Sequence, residues 1–449
     1  MTLMDDVSTY IATALEKPLP PEVAEKTKHH LLDTLGAIVS GSQMLPGQMS
    51  KKVALAFGGV PESTVIGTDI LTSAAVAAMA NGMSAHADET DDSHAPSLTH
   101  PGCAIVPASM AMAERQGRGG DDLLRAVALG YDIGTRVTMA LGYLAMDRLG
   151  HASHTIGPMF GSAAAAGALV GATAQQCRYL LSYTSQQAAG ITTWPRDSEH
   201  VEKSFVFGGQ GARNGVTSAI FVSLGLNGVD DVFSGEPNFF TVFSNESNPA
   251  RFGQDLGSVY EVMNTNIKKW SVGSPIQAPA EALHILMREH GFKAEDVAEV
   301  NVKVDPRGAR IVNAREMPDV NLQYILAVTL LDGGLTFAAA HDYPRMAAAD
   351  VQALRQKITL EGVKELEGTT PPRQAIVTVT TTKGESYRHH MVAVPGTATN
   401  PMSRQEVQEK CLDLFAPTLG SDRANQLIER VFAIEGVADV RELRPLLTA

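Results

Sequence analysis

Residues 155–174 read TIGPMFGSAAAAGALVGATA, a stretch of twenty residues without a charge. The stretch is long enough to cross a bilayer, but Gly, Ala, Ser and Thr dominate it, and these residues gain little free energy from transfer into lipid. Small side chains instead let two helix backbones approach each other closely. We therefore predict that this stretch is a tightly packed, buried helix inside a helical domain.

The chain around this stretch, up to about Thr265, has the pattern of packed helices. After Pro21, apolar residues recur at three- and four-residue spacing, which is typical of one buried helix face. Few strands are evident in this half. Further Ala-rich helices are predicted at residues 73–83, 105–115, 123–141 and 161–174.

The pattern changes after Thr265. Val300, Val302 and Val304 alternate with polar residues, which predicts a half-buried strand. Residues 376–382 and 385–394 flank Lys383-Gly384, which predicts a hairpin. Helices are predicted at 278–290 and 322–331, and a short strand near 358–361. This part is therefore an α+β unit.

A helical tail follows the α+β unit. Ser403 and Glu406 have the spacing of a capping box at the start of a helix. We expect the tail to return to the first domain.

Composition and charge exclude several classes of function. The 449 residues carry 36 Lys plus Arg and 49 Asp plus Glu, a net charge of −13, which argues against binding to nucleic acid or to anionic membranes. At 44% hydrophobic and 19% charged residues, the chain has ample material for a globular core. Three well-separated cysteines predict no disulfide framework, and no export signal is visible, so we expect a reducing, cytoplasmic location.

The densest polar cluster is HADETDDSH at residues 86–94, followed by THPG at 99–102. Three interpretations compete for it: a metal site, a solvated acidic loop, and a proton-transfer site in which histidines and carboxylates act together. The acidic spacing resembles Mg²⁺ motifs that hold diphosphates, but those motifs need a second acidic triad, which the sequence lacks. Apolar helices on both sides of the cluster favour the proton-transfer site.

Four further groups carry residues suited to chemistry, although none is decisive alone. His151 and His154 precede the small-residue helix, and Lys203 precedes a glycine-rich segment. That segment has no Gly-Lys-Ser/Thr ending and no Gly-x-Gly-x-x-Gly, so it does not predict nucleotide binding, although Lys203 is placed to face an anion. Lys268 lies at the junction into the α+β unit, and Tyr324 lies on a predicted helix.

Taken together and in order, the motifs of this chain resemble the MmgE/PrpD family. The resemblance spans essentially the whole chain. The motifs that carry it are LLDTLG at 31–36, ANG at 80–82, His86 with DDS at 91–93, THPG at 99–102, FGSAAA at 160–165, Lys203, Ile267-Lys268, Tyr324 with LLDG at 330–333, and NPMS at 400–403.

This resemblance implies a mainly α fold. A large all-helical domain would comprise residues 1–265 with 400–449, and residues 266–399 would form a smaller α+β lid domain with an antiparallel sheet. It also implies a homodimer, no cofactor and no metal, and a small polycarboxylate as the substrate.

The active-site residues implied by the resemblance come from both predicted domains. The chain departs from the family pattern His-x-x-Asp-Phe-Asp-Asp-Thr, with Glu89, Thr90 and Ser93 in place of Asp, Phe and Thr. One extra residue before the Phe-Gly-rich helix makes His151 and His154 compete for one role. The implied catalytic residues are His100, Asp91, Glu89, Lys203 and Tyr324, and the implied substrate-binding residues are Lys268, His151, Ser93 and His154.

The members of this family make or discharge a carbanion beside a carboxylate. We expect lysines 203 and 268 to bind substrate carboxylates while His100 transfers the proton, with Asp91 or Glu89 orienting it and Tyr324 donating to a leaving hydroxyl or a carboxylate. A 2-methylcitrate dehydratase-like hydro-lyase is the main expectation. A cis-aconitate decarboxylase-like lyase and an iminodisuccinate epimerase-like isomerase are the alternatives.

Two more distant alternatives come from other classes of protein. A divalent-metal hydrolase would use His86, Asp88, Asp92 and His94 and would lose activity with chelator. A non-catalytic scaffold would be insensitive to substitutions in the polar clusters.

Overall fold

Residues 155–169 of the uncharged stretch lie in the helix Ser153–Leu169, and every residue of this helix is buried. The helix packs against the helix Gly120–Leu141 through glycines. A Cβ built at Gly161 would overlap the carbonyl oxygen of Gly130, and one at Gly157 would overlap the side chain of Thr138. Small residues therefore permit the close helix contact, and the prediction of a buried helix is confirmed for residues 155–169.

A computed structural model describes residues 2–449, and helices form most of this structure. The α-helices are α1 (Leu3–Thr13), α2 (Pro21–Gly41), α3 (Leu45–Phe57), α4 (Ala74–Ala85), α5 (Gly102–Gln116), α6 (Gly120–Leu141), α7 (Tyr143–Arg148), α8 (Ser153–Leu169), α9 (Ala174–Gln187), α10 (Val201–Ser204), α11 (Gln210–Ser223), α12 (Phe239–Phe243), α13 (Ala250–Gly253), α14 (Gln277–His290), α15 (Pro306–Val312), α16 (Leu322–Asp332), α17 (Phe337–Ala340), α18 (Tyr343–Ala347), α19 (Ala349–Arg355), α20 (Arg404–Leu419), α21 (Ser421–Phe432) and α22 (Arg444–Leu447). The strands are β1 (Ser63–Thr64), β2 (Leu71–Thr72), β3 (Ser93–His94), β4 (Thr265–Asn266), β5 (Val297–Val304), β6 (Ile358–Gly362), β7 (Ala375–Thr381) and β8 (Ser386–Met391).

The first of two compact units contains the chain up to Ala87, Asp91–Asn266 and Ser403–Ala449. Helices α1, α6 and α8 share one of its apolar cores with Phe233, Phe239 and Phe240. In the described part of this unit, the strands form two short antiparallel pairs, β1 with β2 and β3 with β4. The C-terminal helices belong to this unit, and α20 begins at the predicted capping box of Ser403 and Glu406.

The second unit contains Ile267–Met402 together with the short segment Asp88–Thr90. Its sheet has the strand order β6-β5-β7-β8, and its core lies between this sheet and the helices α14 and α16. The predicted hairpin is the antiparallel pair β7 and β8. The sheet is not wholly antiparallel as expected, because β5 and β6 pair in parallel. The chain between them runs through five helices, long enough for the crossover that parallel strands require.

The mainly α fold class is confirmed, with the strands concentrated in the second unit. Most predicted helices and strands are present with ends shifted by a few residues. In particular, α8 ends at Leu169, because Thr173 caps the next helix, α9. Across residues 2–449, no helix combines the length and the apolar character needed to cross a membrane.

Candidate active site

A buried carboxylate, Asp91, holds two histidines of the first unit. Its Oδ2 lies 2.8 Å from Nδ1 of His86, and its Oδ1 lies 3.1 Å from Nδ1 of His100. His86 caps the C-terminus of α4, and His100 lies two residues before α5 begins, so the ends of two helices set the geometry. Because each Nδ1 donates to Asp91, the Nε2 of His100 is left for proton transfer.

The two histidines differ in exposure and in charge. The side chain of His100 is 13% exposed, whereas that of His86 is fully buried. Burial lowers the pKa of His86 to about 3 in spite of the neighbouring Asp91 carboxylate. His86 is therefore neutral at physiological pH and serves to hold Asp91, while His100 is the histidine that a small molecule can reach.

The ring of Phe207 packs between two imidazoles. It stacks on His86 at 4.3 Å and on His154 at 4.0 Å, with 12° between the planes in both cases. The Nζ of Lys203 lies 5.1 Å from the centre of the same ring and 5.3 Å from that of Trp194, within the range of cation–π attraction. One aromatic side chain thus brings a lysine and two histidines together.

The backbone that carries Phe207 is a π-helical turn, Phe205–Gly209, between α10 and α11. Such turns are rare and occur often at functional sites. A Cβ built at Gly208 would overlap the carbonyl oxygen of Gly82 in α4, so the two backbones touch. Because Gly82 lies four residues before His86, this contact places Phe207 beside that imidazole. Gly82 and Gly208 thus allow the backbones of α4 and of the π-helical turn to approach each other closely.

His154, and not His151, lies with this group. The ring centre of His154 is 5.7 Å from that of His100 and 5.6 Å from that of Trp194. His151 instead packs edge-on against Phe243 at 5.3 Å, and its backbone pairs with Ile191. The residue that helix α8 presents from its first turn is therefore the one that joins the site.

Asp92 and Ser93 anchor the loop that follows Asp91. Asp92 accepts hydrogen bonds from His30 at 2.8 Å, from the hydroxyl of Tyr131 at 2.5 Å and from the backbone N–H of Gly102 at 3.0 Å. Ser93 lies on β3, opposite Asn266 of β4. Asp92 thus ties the start of α5, and with it His100, to the helical core.

Lys268 and Glu89 form a buried pair in the second unit. The Nζ of Lys268 donates to the backbone carbonyl of Glu89 at 2.8 Å and lies 3.4 Å from its Oε2. Both residues are more than nine-tenths buried. Charge–charge interactions are strong at such depth, so this pair is a fixed positive and negative charge suited to orienting a carboxylate.

Tyr324 makes its hydrogen bonds within the second unit. Its hydroxyl donates to the carbonyl of Ala339 at 2.5 Å and lies 3.3 Å from that of Asp342. Burial raises its pKa to about 12, so the phenol stays protonated. In this structure, the proton that we expected to reach a leaving hydroxyl or a carboxylate is donated to a backbone carbonyl of the second unit.

One buried group of the first unit has the composition of a metal site. His86, Asp91 and Cys103 bring potential ligand atoms within 4.8 Å of one another. The residues fit a metal poorly, because Asp91 already holds two imidazoles and the thiol of Cys103 donates to the carbonyl of His100 at 3.2 Å.

The set predicted for a metal hydrolase is also divided among other partners. Asp88 pairs with His341, and His94 contacts Ser97 and Glu261, while Asp92 is held as described above. These contacts do not favour the hydrolase alternative.

Fold and site together define a mainly helical protein of two units with a carboxylate-held pair of histidines in the first. The MmgE/PrpD N-terminal domain matches residues 5–251, and the MmgE/PrpD C-terminal domain matches residues 270–434. The chain belongs to the MmgE/PrpD family.

Two relatives align over nearly the full length of the chain. The cis-aconitate decarboxylase-like protein oryM of Aspergillus oryzae is 25% identical over 475 residues, which cover 99% of this chain and 96% of the relative. The cis-aconitate decarboxylase of Homo sapiens is 26% identical over 448 residues, which cover 96% of this chain and 91% of the relative.

Proposed function

We propose that this protein is a cofactor-independent lyase that decarboxylates a small unsaturated polycarboxylate of the cis-aconitate type. The observation that carries the proposal is the contact of Asp91 with His100, which orients a reachable imidazole for proton transfer to carbon. The names of the two relatives support decarboxylation over the dehydration that we expected first.

The chemistry requires one proton donor and a set of fixed charges. In cis-aconitate, the bond between the methylene carbon and its carboxylate breaks, CO₂ leaves, and the electron pair forms a new terminal alkene. The electrons of the old alkene move to the carbon beside the far carboxylate, which takes a proton from His100. The product is itaconate, and solvent returns the proton to the imidazole.

The position of Tyr324 supports this outcome. Dehydration needs an acid for the departing hydroxide, and the phenol of Tyr324 was the residue expected to supply it. That hydroxyl is hydrogen-bonded to Ala339 in the second unit. Decarboxylation has no hydroxide to protonate, so the remaining residues suffice for it.

The charges needed for binding come from lysines. A protein with a net charge of −13 does not attract a tricarboxylate by its average field, so positive charge must be concentrated at the site. We assign this role to Lys203, beside Phe207 and Trp194, and to Lys268, beside Glu89. At about 4 Å, two opposite charges gain roughly 4 kcal/mol at an effective dielectric of about 20.

The test is proton NMR of the purified, EDTA-treated protein with cis-aconitate in D₂O. We expect the terminal alkene signals of itaconate, one deuterium at the methylene beside the carboxylate, and release of CO₂. Parallel samples contain 2-methylcitrate, citrate and iminodisuccinate. A new alkene from 2-methylcitrate together with unchanged cis-aconitate would replace decarboxylation by dehydration, and loss of turnover with EDTA would contradict the cofactor-free mechanism.

A further inference from the structure

We propose that His341, in the second unit, is a positioning residue that holds Glu89 and Lys268 in place for substrate binding. The inference rests on the proposed function, in which Lys268 binds a substrate carboxylate. His341 lies outside the polar cluster at residues 86–102 and outside the motifs that resemble the family.

The first contact is between His341 and Asp88. The Nε2 of His341 lies 2.7 Å from Oδ2 of Asp88, and its Nδ1 lies 2.8 Å from the carbonyl oxygen of Phe337. The side chain of His341 is 12% exposed, and that of Asp88 is 2% exposed. The imidazole thus links the C-terminal end of α17 to the segment Asp88–Thr90.

The second contact is between Tyr324 and the backbone on either side of His341. The hydroxyl of Tyr324 donates to Ala339 and lies near the carbonyl of Asp342, and these two residues stand on either side of His341. Tyr324 therefore fixes the backbone from which the imidazole projects.

The third contact, between Asp88 and Thr90, links the position of Asp88 to that of Glu89. Asp88 accepts hydrogen bonds from the backbone N–H of Thr90, at 3.1 Å, and from the hydroxyl of Thr90, which closes a turn around Glu89. The carbonyl of Glu89 in this turn is the oxygen that Lys268 binds at 2.8 Å. The conformation of the turn thus sets the position of the ammonium group.

The charge of His341 is suited to this role. Burial alone would lower its pKa, but the contact with Asp88 and the charges of Asp88 and Asp319 outweigh burial and raise the pKa to about 9. At physiological pH, His341 is an imidazolium that neutralises the buried Asp88. Without it, an uncompensated carboxylate would remain in the turn next to Glu89.

The test compares H341A, H341Q and the control H389N with the wild-type enzyme on cis-aconitate. His389 lies on β8 of the same unit, away from the contacts above. We expect H341A to raise KM about tenfold and to change kcat less than threefold, because Lys268 is displaced while His100 is untouched. H341Q keeps a donor at the position of Nε2, so it should recover most of the loss. If H341A merely contained less folded enzyme, its apparent kcat would fall while its KM stayed unchanged, so the two causes are distinguishable.

A double-variant cycle makes the proposal specific. If His341 acts through Lys268, then H341A/K268A has the KM of K268A, whereas independent effects would multiply. A wild-type KM in folded H341A, or multiplied effects, would overturn the proposal. If H341A does not fold, D88N takes its place with the same criterion.

Two measurements do not depend on turnover of cis-aconitate. An NMR titration of the imidazoles should show one group in the wild-type protein titrating near pH 9 that moves toward its ordinary range in D88N. Calorimetry with propane-1,2,3-tricarboxylate should show weaker binding to H341A than to H389N. If the wild-type protein leaves the whole substrate panel unchanged, the proposed function fails, yet a pKa shift in D88N and weakened binding would still support His341. An unshifted imidazole would overturn it.

Discussion

The two carboxylate oxygens of Asp91 contact two imidazoles that differ in exposure. One imidazole is buried and neutral, and the other is partly exposed and oriented through the same carboxylate. Removing His86 or Asp91 would therefore act through His100 rather than on the substrate directly. The site therefore offers one accessible imidazole nitrogen, Nε2 of His100, and the contact with Asp91 fixes the tautomer of this ring.

Replacing His100 with Ala should lower kcat on cis-aconitate by about 100- to 10,000-fold, because the reaction loses its proton donor. The far-UV circular dichroism spectrum should be unchanged, since the side chain is partly exposed. Steady-state kinetics of H100A and of the control H389A provide the measurement. Turnover of H100A within threefold of that of H389A would contradict the assigned role.

His151 and His154 provide a matched pair for a second prediction. We expect H154A to lose at least 90% of kcat/KM, because its ring stacks on Phe207 beside His100, and H151A to stay within threefold of wild type. Kinetics of both variants on the same substrate decide it. The reverse order of the two variants would move the assignment to His151.

The sequence could not choose between these two histidines. They lie three residues apart, and the choice depends on where α8 starts and which way its first turn faces. His86 and Phe207 were missed as site residues for a related reason. His86 belongs to one of the motifs that resemble the family, but its contact with Phe207 is visible only in the folded structure.

Helices and strands followed from the sequence wherever local pattern determines them. The alternation around Val300 predicted β5, and the small-residue stretch predicted α8. The π-helical turn and the parallel pairing of β5 with β6 were not predictable, because each depends on contacts distant in sequence. The sequence pattern also did not predict that Asp88–Thr90 groups with the second unit, for the same reason.

Gly161 provides a test of the helix contact between α6 and α8. Replacing Gly161 with Ala should destabilise the protein by about 2 kcal/mol, because the added methyl group overlaps the backbone carbonyl of Gly130, which cannot move without shifting a helix. Urea unfolding followed by circular dichroism measures the change. The control is Gly436→Ala, where a Cβ meets no atom within 4 Å. Equal stability of the two variants would show that the helices separate at little cost.

The stability of the whole molecule should depend on pH through His341. Its pKa is about 9 in the folded protein and about 6.5 when unfolded, so folding binds a proton more tightly. The resulting contribution, about 3 kcal/mol, is fully present below pH 6.5 and is lost as pH rises through 9. Asp88 and Asp319 are the charged groups that face this imidazole.

The measurement is the free energy of unfolding of wild type and H341Q at several values of pH between 6 and 10. The difference between the two proteins should shrink steadily across this range, while H389Q should follow wild type throughout. A constant difference would mean that His341 does not change its protonation in this window.

The segment Asp88–Thr90 also limits how the protein can be divided into pieces. A recombinant fragment of residues 267–402 would hold the whole sheet and its helices but would leave His341 without Asp88, and Lys268 without the carbonyl of Glu89. A synthetic peptide spanning residues 86–92 would supply both missing partners. We expect the peptide to bind the fragment, and to bind it more weakly when Asn replaces Asp88. Such binding would show that the second unit recognises residues 88–90 as a separate ligand.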